Sequence, residues 1–384
     1  MSLMWKNCTI CVLTNCTNQS NDSNITSVGL ERCKEALSEK PFSSTFRVFA
    51  IIAIVFMIAT AVFGNAVVCY IVYQKPAMRS SINLLLANLA FVDVLIALLC
   101  MTASLVTVIG EEWLLGSVLC KVNAFCFSFL VTESTYILLA ISWDRYLIIV
   151  RREETLTPYK AKVIISITWV ISFILSLPPT FGWGRYNYEK GHIVCSLDDD
   201  AFSYSLVFYI LTIIIPMLIM GYVYYRILCT VRKNSTKVVN HPPVSGVETR
   251  VHKRGKMNID YGFKTRAFLT ILILFIGYFF CFLPYLVTRL DLVTGRNLET
   301  TSFTQVVLIL LCYLNSVLNP MVYYVRIGKF REACRDIVPS CCCLSFLCVP
   351  KRPLRRVCPH VIYEVSDRSE KSVSFSLYSM GAFD

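Results

Sequence analysis

Charge is what this chain has least of. Only 16% of its 384 residues are Asp, Glu, Lys or Arg, against 55% apolar residues and a mean hydropathy of +0.59. A soluble domain ordinarily carries about a quarter charged residues, so an ordinary soluble globule is excluded. Histidine is equally scarce, at four residues. Together with the lack of a nucleophile–base constellation, a Gly-rich phosphate loop or a metal motif, this argues against an enzyme. Residues 1–10 have no apolar core, so no cleavable signal peptide is expected and the first apolar run is read as a signal anchor. Paired halves with broken helices, the mark of many transporters, are also missing.

What is present is a set of seven long runs nearly free of charge, at 48–73, 80–110, 122–143, 163–184, 201–225, 267–288 and 300–325. Each reaches the ~20 apolar residues a helix needs to cross ~30 Å of hydrocarbon. Backbone amides find no water in a bilayer, so such runs must close their hydrogen bonds within a helix. The expected fold is an all-α membrane protein. It has a leader over 1–45, a seven-helix bundle over 46–326, a short amphipathic surface helix over 327–338 and a tail over 339–384.

Basic residues gather on one side. The connection 232–266 carries Arg232, Lys233, Lys237, Arg250, Lys253, Arg254, Lys256, Lys264 and Arg266 against Glu248 and Asp260. Lys75, Arg79, Arg151, Arg152, Lys160, Lys162, Arg326, Lys329, Arg331 and Arg335 fall in segments of the same parity. Glu111, Glu112 and the acidic run 198–200 fall in the others. The positive-inside rule therefore puts the leader outside and the tail in the cytoplasm. The net charge of +12 is read as topology and contact with anionic lipid rather than nucleic-acid binding. Five N-glycosylation sequons in the leader, at Asn7, Asn15, Asn18, Asn21 and Asn24, agree.

Cysteines divide by compartment. Cys120, at the outer end of span three, and Cys195, in the loop before span five, face an oxidising space, and a disulfide between them is the favoured reading. Cys8, Cys11, Cys16 and Cys33 allow three pairings. Cys341, Cys342, Cys343 and Cys348 follow the amphipathic stretch and suggest S-palmitoylation over zinc binding.

Polar groups at bilayer depth are costly and therefore informative. Asp93 is the charge of span two. Asn65, Ser134, Asn315, Ser316 and Asn319 lie at similar depth. Such oxygens suit a sodium ion neutralising Asp93, or equally a water network around a protonated Asp93. Glu133 must point away from Ser134, since adjacent helical positions differ by about 100°; a structural and a functional role both stand. Asp144-Arg145-Tyr146 closes span three. Pro216, Pro284 and Pro320 interrupt spans five, six and seven, where each removes a backbone hydrogen bond and is expected to bend the helix.

These marks together resemble the rhodopsin-like (class A) G protein-coupled receptors. They comprise Gly64-Asn65, the segment 89–93 ending in Asp93, Cys120, Asp144-Arg145-Tyr146, Trp169, Pro216 with Tyr224, the segment 281–284 with Phe282 and Pro284, and the segment 319–323 with Asn319, Pro320 and Tyr323. Segments 73–87, 144–150, 161–165 and 263–268 are similar to a small brain-associated orphan subgroup.

The resemblance implies a heterotrimeric G protein as partner, reached when span six swings outward, with arrestin and receptor kinases acting on a serine-rich tail. It makes Asp93, Ser134, Asn315, Ser316 and Asn319 a pocket for an allosteric sodium ion, with no other cofactor. Asp144, Arg145, Tyr146, Tyr224, Phe282, Pro284, Asn319, Pro320 and Tyr323 become the coupling switch, with Tyr224 and Tyr323 assisting Arg145. Lys264 stands where many members place an acid facing Arg145, which implies raised basal activity. Phe127 stands where amine receptors carry an aspartate. Tyr313 stands where opsins carry the retinal-binding lysine, which disfavours a light receptor despite the opsin-like segment 178–183. The implied ligand pocket is Phe127, Val131, Phe208, Phe282, Tyr285, Arg289 and Tyr313. It is aromatic with one cation, a lining suited to a lipid or an acid-bearing small molecule and equally ordinary as core packing.

Overall fold

The computed structural model describes residues 43–153, 156–197, 202–239, 248–293 and 301–337. The leader sequons and cysteines, the acidic run 198–200 and the tail with Cys341, Cys342, Cys343 and Cys348 lie outside the described residues.

Seven helices are long and apolar enough to cross a membrane. They are α1 (Ser44–Gln74), α2 (Ser81–Gly110), α3 (Gly116–Arg151), α4 (Pro158–Ser176), α5 (Phe202–Tyr209, continuing through Ile215–Val239), α6 (Glu248–Val293) and α7 (Ser302–Arg326). Large apolar side chains such as Phe49, Phe56 and Phe280 point outward, as a hydrocarbon solvent permits. A short helix, α8 (Gly328–Ile337), follows α7 and buries Phe330 and Ala333. Its Phe330 ring meets Tyr323 at 6.4 Å.

Two features differ from expectation. The connection 232–266 is largely helical, because α5 runs on to Val239 and α6 begins at Glu248 rather than at 267. Its Lys, Arg, Met and Glu are good helix formers without being apolar, so hydropathy marks the edge of the lipid rather than the end of the helix. Second, the ladders of α2, α3 and α5 widen into π turns at Ile96–Met101, Leu147–Arg151 and Ile210–Ile214. The last immediately precedes Pro216, whose ring would otherwise press on the carbonyl four residues back. Pro284 and Pro320 sit inside continuous helices.

Close packing sets α1 against α7. A Cβ on Gly64 would stand 2.9 Å from Pro320 Cγ, so only glycine admits this approach. Between α4 and α5, strands β1 (Tyr186–Tyr188) and β2 (Cys195–Leu197) form an antiparallel hairpin, with Tyr188 opposite Cys195. The Cys120–Cys195 disulfide is formed and pins the hairpin to the start of α3. Pro178 and Pro179 end α4 and deprive its last turn of donors. Tyrosine hydroxyls satisfy the freed carbonyls: Tyr186 donates to Ser176 O at 2.8 Å and Tyr204 to Leu175 O at 2.6 Å.

Candidate functional site

Three levels of polar and aromatic side chains run down the bundle axis from the disulfide end. The first is a cavity of about 20 Å³ walled by Phe127, Val131, Phe208, Phe282 and Tyr285, with Ser196 from β2. That volume holds roughly one water molecule. Five of the seven expected pocket residues are thus brought together, and two are not. Tyr313 turns toward α2, where its hydroxyl pairs with Ser104 Oγ at 2.8 Å, leaving only a ring edge against Phe127. Arg289 lies behind Tyr285, 5.3 Å over that ring, and donates to Ser196 Oγ at 3.2 Å. It is a guanidinium only 1% exposed, covered by the hairpin rather than lining the cavity.

His192 belongs to the same cover. Its Nε2 is 3.4 Å from Glu189 Oε2. Burial, and then the Arg289 charge, push its pKa down to about 4, so the imidazole is neutral at pH 7 and the contact with Glu189 is no ion pair.

At mid-depth Asp93 is fully buried and accepts from Asn319 Nδ2 at 2.8 Å through Oδ2. Its Oδ1, Ser134 Oγ, Asn65 Oδ1 and Tyr323 OH are buried without a hydrogen-bond partner among the described residues. Asn315 and Ser316 are buried beside them on α7, and the Ser316 carbonyl accepts from Asn65 Nδ2. A hard monovalent cation seeks such an array, one carboxylate oxygen with neutral oxygens around it, and the residues present fit one.

Glu133 points the other way, as helical geometry requires. It accepts from Asn88 Nδ2 and Thr168 Oγ1, both at 3.0 Å, and from Ser172 Oγ at 3.2 Å. Trp169 Nε1 holds Asn88 Oδ1 at 2.9 Å. This acid therefore stitches α3 to α2 and α4, away from the axis.

The third level is the far end of α3. Arg145 Nε donates to Asp144 Oδ2 at 3.0 Å, and Nη2 makes a second contact with the same oxygen. Tyr146 is buried against Trp143. Tyr224 and Tyr323, expected to assist Arg145, are engaged elsewhere. Tyr224 OH pairs with Ser142 Oγ at 2.7 Å and reaches the Ile271 carbonyl at 3.3 Å, while the Tyr323 ring packs on Phe330. The arginine is thus held by its own neighbour, the arrangement of a closed end.

Sequence reasoning passed over several hydroxyls that join helices: Ser104, Thr135, Ser142 and Tyr278. Thr135 Oγ1 and Tyr278 OH lie 2.6 Å apart at the centre of the bundle. Their signal was available as tyrosine and threonine in otherwise apolar spans, but a hydroxyl costs far less in lipid than a charge and stands out less.

The 7 transmembrane receptor (rhodopsin family) model matches residues 64–323. A high-affinity lysophosphatidic acid receptor of Xenopus laevis is 43% identical over 340 residues, spanning 84% of this chain and 90% of that protein. A probable G-protein coupled receptor 45 of Mus musculus is 39% identical, spanning 85% of this chain and 91% of that protein. Squid rhodopsin superposes with a TM-score of 0.71 at 22% identity, covering 81% of this chain and 89% of that one, which shows a shared fold.

Proposed function

The chain belongs to the 7 transmembrane receptor (rhodopsin family), and from that premise we propose that an acid-bearing lipid, recognised through Arg289, switches it. The chain is a multi-pass plasma-membrane receptor that signals to heterotrimeric G proteins. One observation carries the ligand reading: a guanidinium 1% exposed stands beside an aromatic cavity at the disulfide end. A phosphate or carboxylate pairs with a guanidinium, and the walls offered by Phe127, Phe208, Phe282 and Tyr285 suit an acyl chain. The Xenopus relative is named for a lipid of this class. A cavity of about 20 Å³ is too small for it, so binding widens the space between α3, α5 and α6. That expansion couples ligand to bundle opening.

The remaining parts follow the same reading. The glycosylated leader and the disulfide end face outward, and the basic ends of α5, α6 and α7 face the cytoplasm, where Arg145 leaves Asp144 to meet the G protein as α6 swings out. With Lys264 in place of an acid, the closed state lacks an ion pair to Arg145 and basal signalling is raised. Asp93, Ser134, Asn315, Ser316 and Asn319 hold a sodium ion, which supplies the counter-charge for the buried carboxylate. Cys341, Cys342, Cys343 and Cys348 carry acyl chains, and the tail serines recruit kinases and arrestin. The chain transmits a signal and turns over no substrate.

The test is G-protein nucleotide exchange by the full chain in nanodiscs, with lysophosphatidic acid as the probe and monoacylglycerol as its neutral counterpart. The reading expects a response to the acid alone, lost in Arg289→Gln. Equal responses to both lipids, or an unchanged response in Arg289→Gln, overturn it.

A further inference from the structure

We propose that the Thr135–Tyr278 hydroxyl pair is a latch that holds α6 against α3 in the closed bundle and parts when the receptor couples to its G protein. Both residues are 0% exposed, and their oxygens are 2.6 Å apart. Thr135 Oγ1 is also 2.8 Å from the carbonyl of Val131, one turn back in α3. A threonine hydroxyl has a single proton. Given to Val131 O, it leaves Thr135 as the acceptor and Tyr278 as the donor. The tyrosine on the moving helix therefore reaches for an oxygen anchored to the α3 backbone.

Position makes this bond a latch rather than an ordinary packing contact. The Tyr278 ring lies 4.7 Å from that of Phe282, one turn along α6. Phe282 and Val131 share the wall of the cavity at the disulfide end. A change in cavity width therefore acts on both partners of the pair at once. In the other direction α6 offers Phe275, whose ring stacks at 4.7 Å on Tyr224, and Tyr224 in turn pairs with Ser142. Thr135 and Ser142 are two turns apart on one face of α3, and Ile271, Phe275, Tyr278 and Phe282 share one face of α6. The two helices meet along a strip with a hydroxyl pair above and a tyrosine bridge below.

Pro284 stands beyond the latch. Its missing N–H weakens the ladder there and makes a pivot. Tyr278 is about six residues from the pivot and Phe268 about sixteen, arms of roughly 9 and 24 Å. A parting of ~1.5 Å at the latch thus becomes ~4 Å at Phe268, next to the Arg145 end. Away from water a hydroxyl without a partner is costly, so the pair is either made or replaced as a unit. Lys264 cannot close an ion pair with Arg145, since both are cations. Closure then falls to the latch.

The experiment measures ligand-independent nucleotide exchange on a purified heterotrimeric G protein, per folded full-length receptor in nanodiscs. The variants are Tyr278→Phe, Thr135→Val, both together, and Thr135→Ser. Tyr278→Phe and Thr135→Val each raise exchange about 2- to 10-fold, the range one net hydrogen bond can shift an equilibrium. The double variant rises no further than either single one, because both remove the same bond. Thr135→Ser, which keeps the oxygen, stays at the wild-type level. A lower melting temperature with unchanged exchange marks a merely structural bond and overturns the proposal, as does a double variant whose effect is the product of the singles. Should Thr135→Val not fold, Tyr278→Phe against Thr135→Ser decides alone: equal exchange in the two overturns it.

Discussion

Asn65 on α1 donates its side-chain amide to the carbonyl of Ser316 on α7 at 2.9 Å. That carbonyl can accept because Pro320, four residues on, has no N–H to offer it. Gly64 beside it lets α1 approach Pro320 closely enough for the bond to form. A motif on one span and a proline on another are thus two halves of one joint.

The joint predicts the effect of its loss. Asn65→Leu leaves the Ser316 carbonyl without a donor in a dry interior, at a cost of about 1–3 kcal/mol. Gly64→Val adds bulk against Pro320. Both variants melt at lower temperature than the wild type in detergent, and Asn65→Leu is the milder.

Glu133 predicts a graded series. Glu133→Ala strands donors on Asn88, Thr168 and Ser172, each costing about 1–3 kcal/mol. Glu133→Gln keeps one acceptor oxygen and loses less. Thermal melting should rank wild type above Gln and Gln above Ala, while basal signalling per folded receptor stays unchanged.

His192 predicts a pH dependence with a definite sign. Unfolded histidine takes up a proton near pH 6.5, whereas the buried imidazole, facing Glu189 and Arg289, does so only near pH 4. Between those values the opened state binds more protons, so the hairpin loses stability as pH falls and levels off below about 4. The full loss is ~3 kcal/mol, and stability above pH 7 is flat. Hydrogen exchange of the 186–197 amides at pH 7.5 and pH 5 checks it: protection drops in the wild type and holds in His192→Gln.

The seven spans were legible because lipid demands an unbroken apolar run, and the disulfide because Cys120 and Cys195 share an oxidising side. Asp93 with Asn319 was legible too, since a charge at bilayer depth needs a partner. The helical continuation of α6 back to Glu248 was not, because once outside the lipid a helix needs no hydropathy. Nor was the placement of Arg289 behind Tyr285. Span position gives its depth, but the hairpin that covers it through Ser196 is a long-range contact. The Thr135–Tyr278 pair was hidden by the modest polarity of hydroxyls.

Sodium supplies a further prediction from the unsatisfied oxygens near Asp93. Replacing sodium by N-methylglucamine at constant ionic strength raises basal exchange severalfold in the wild type. In Asp93→Asn it changes nothing, because the counter-charge is no longer needed.

The most direct measurement of the central claim is the distance between α4 and α6 at the Arg145 end. Spin labels at Tyr159→Cys and Lys264→Cys, in a chain with Cys229→Ser, report it with and without nucleotide-free G protein. The account predicts a second population longer by several ångströms when G protein is bound, larger at the outset in Tyr278→Phe. A single unchanged distance in a receptor that still drives nucleotide exchange contradicts it.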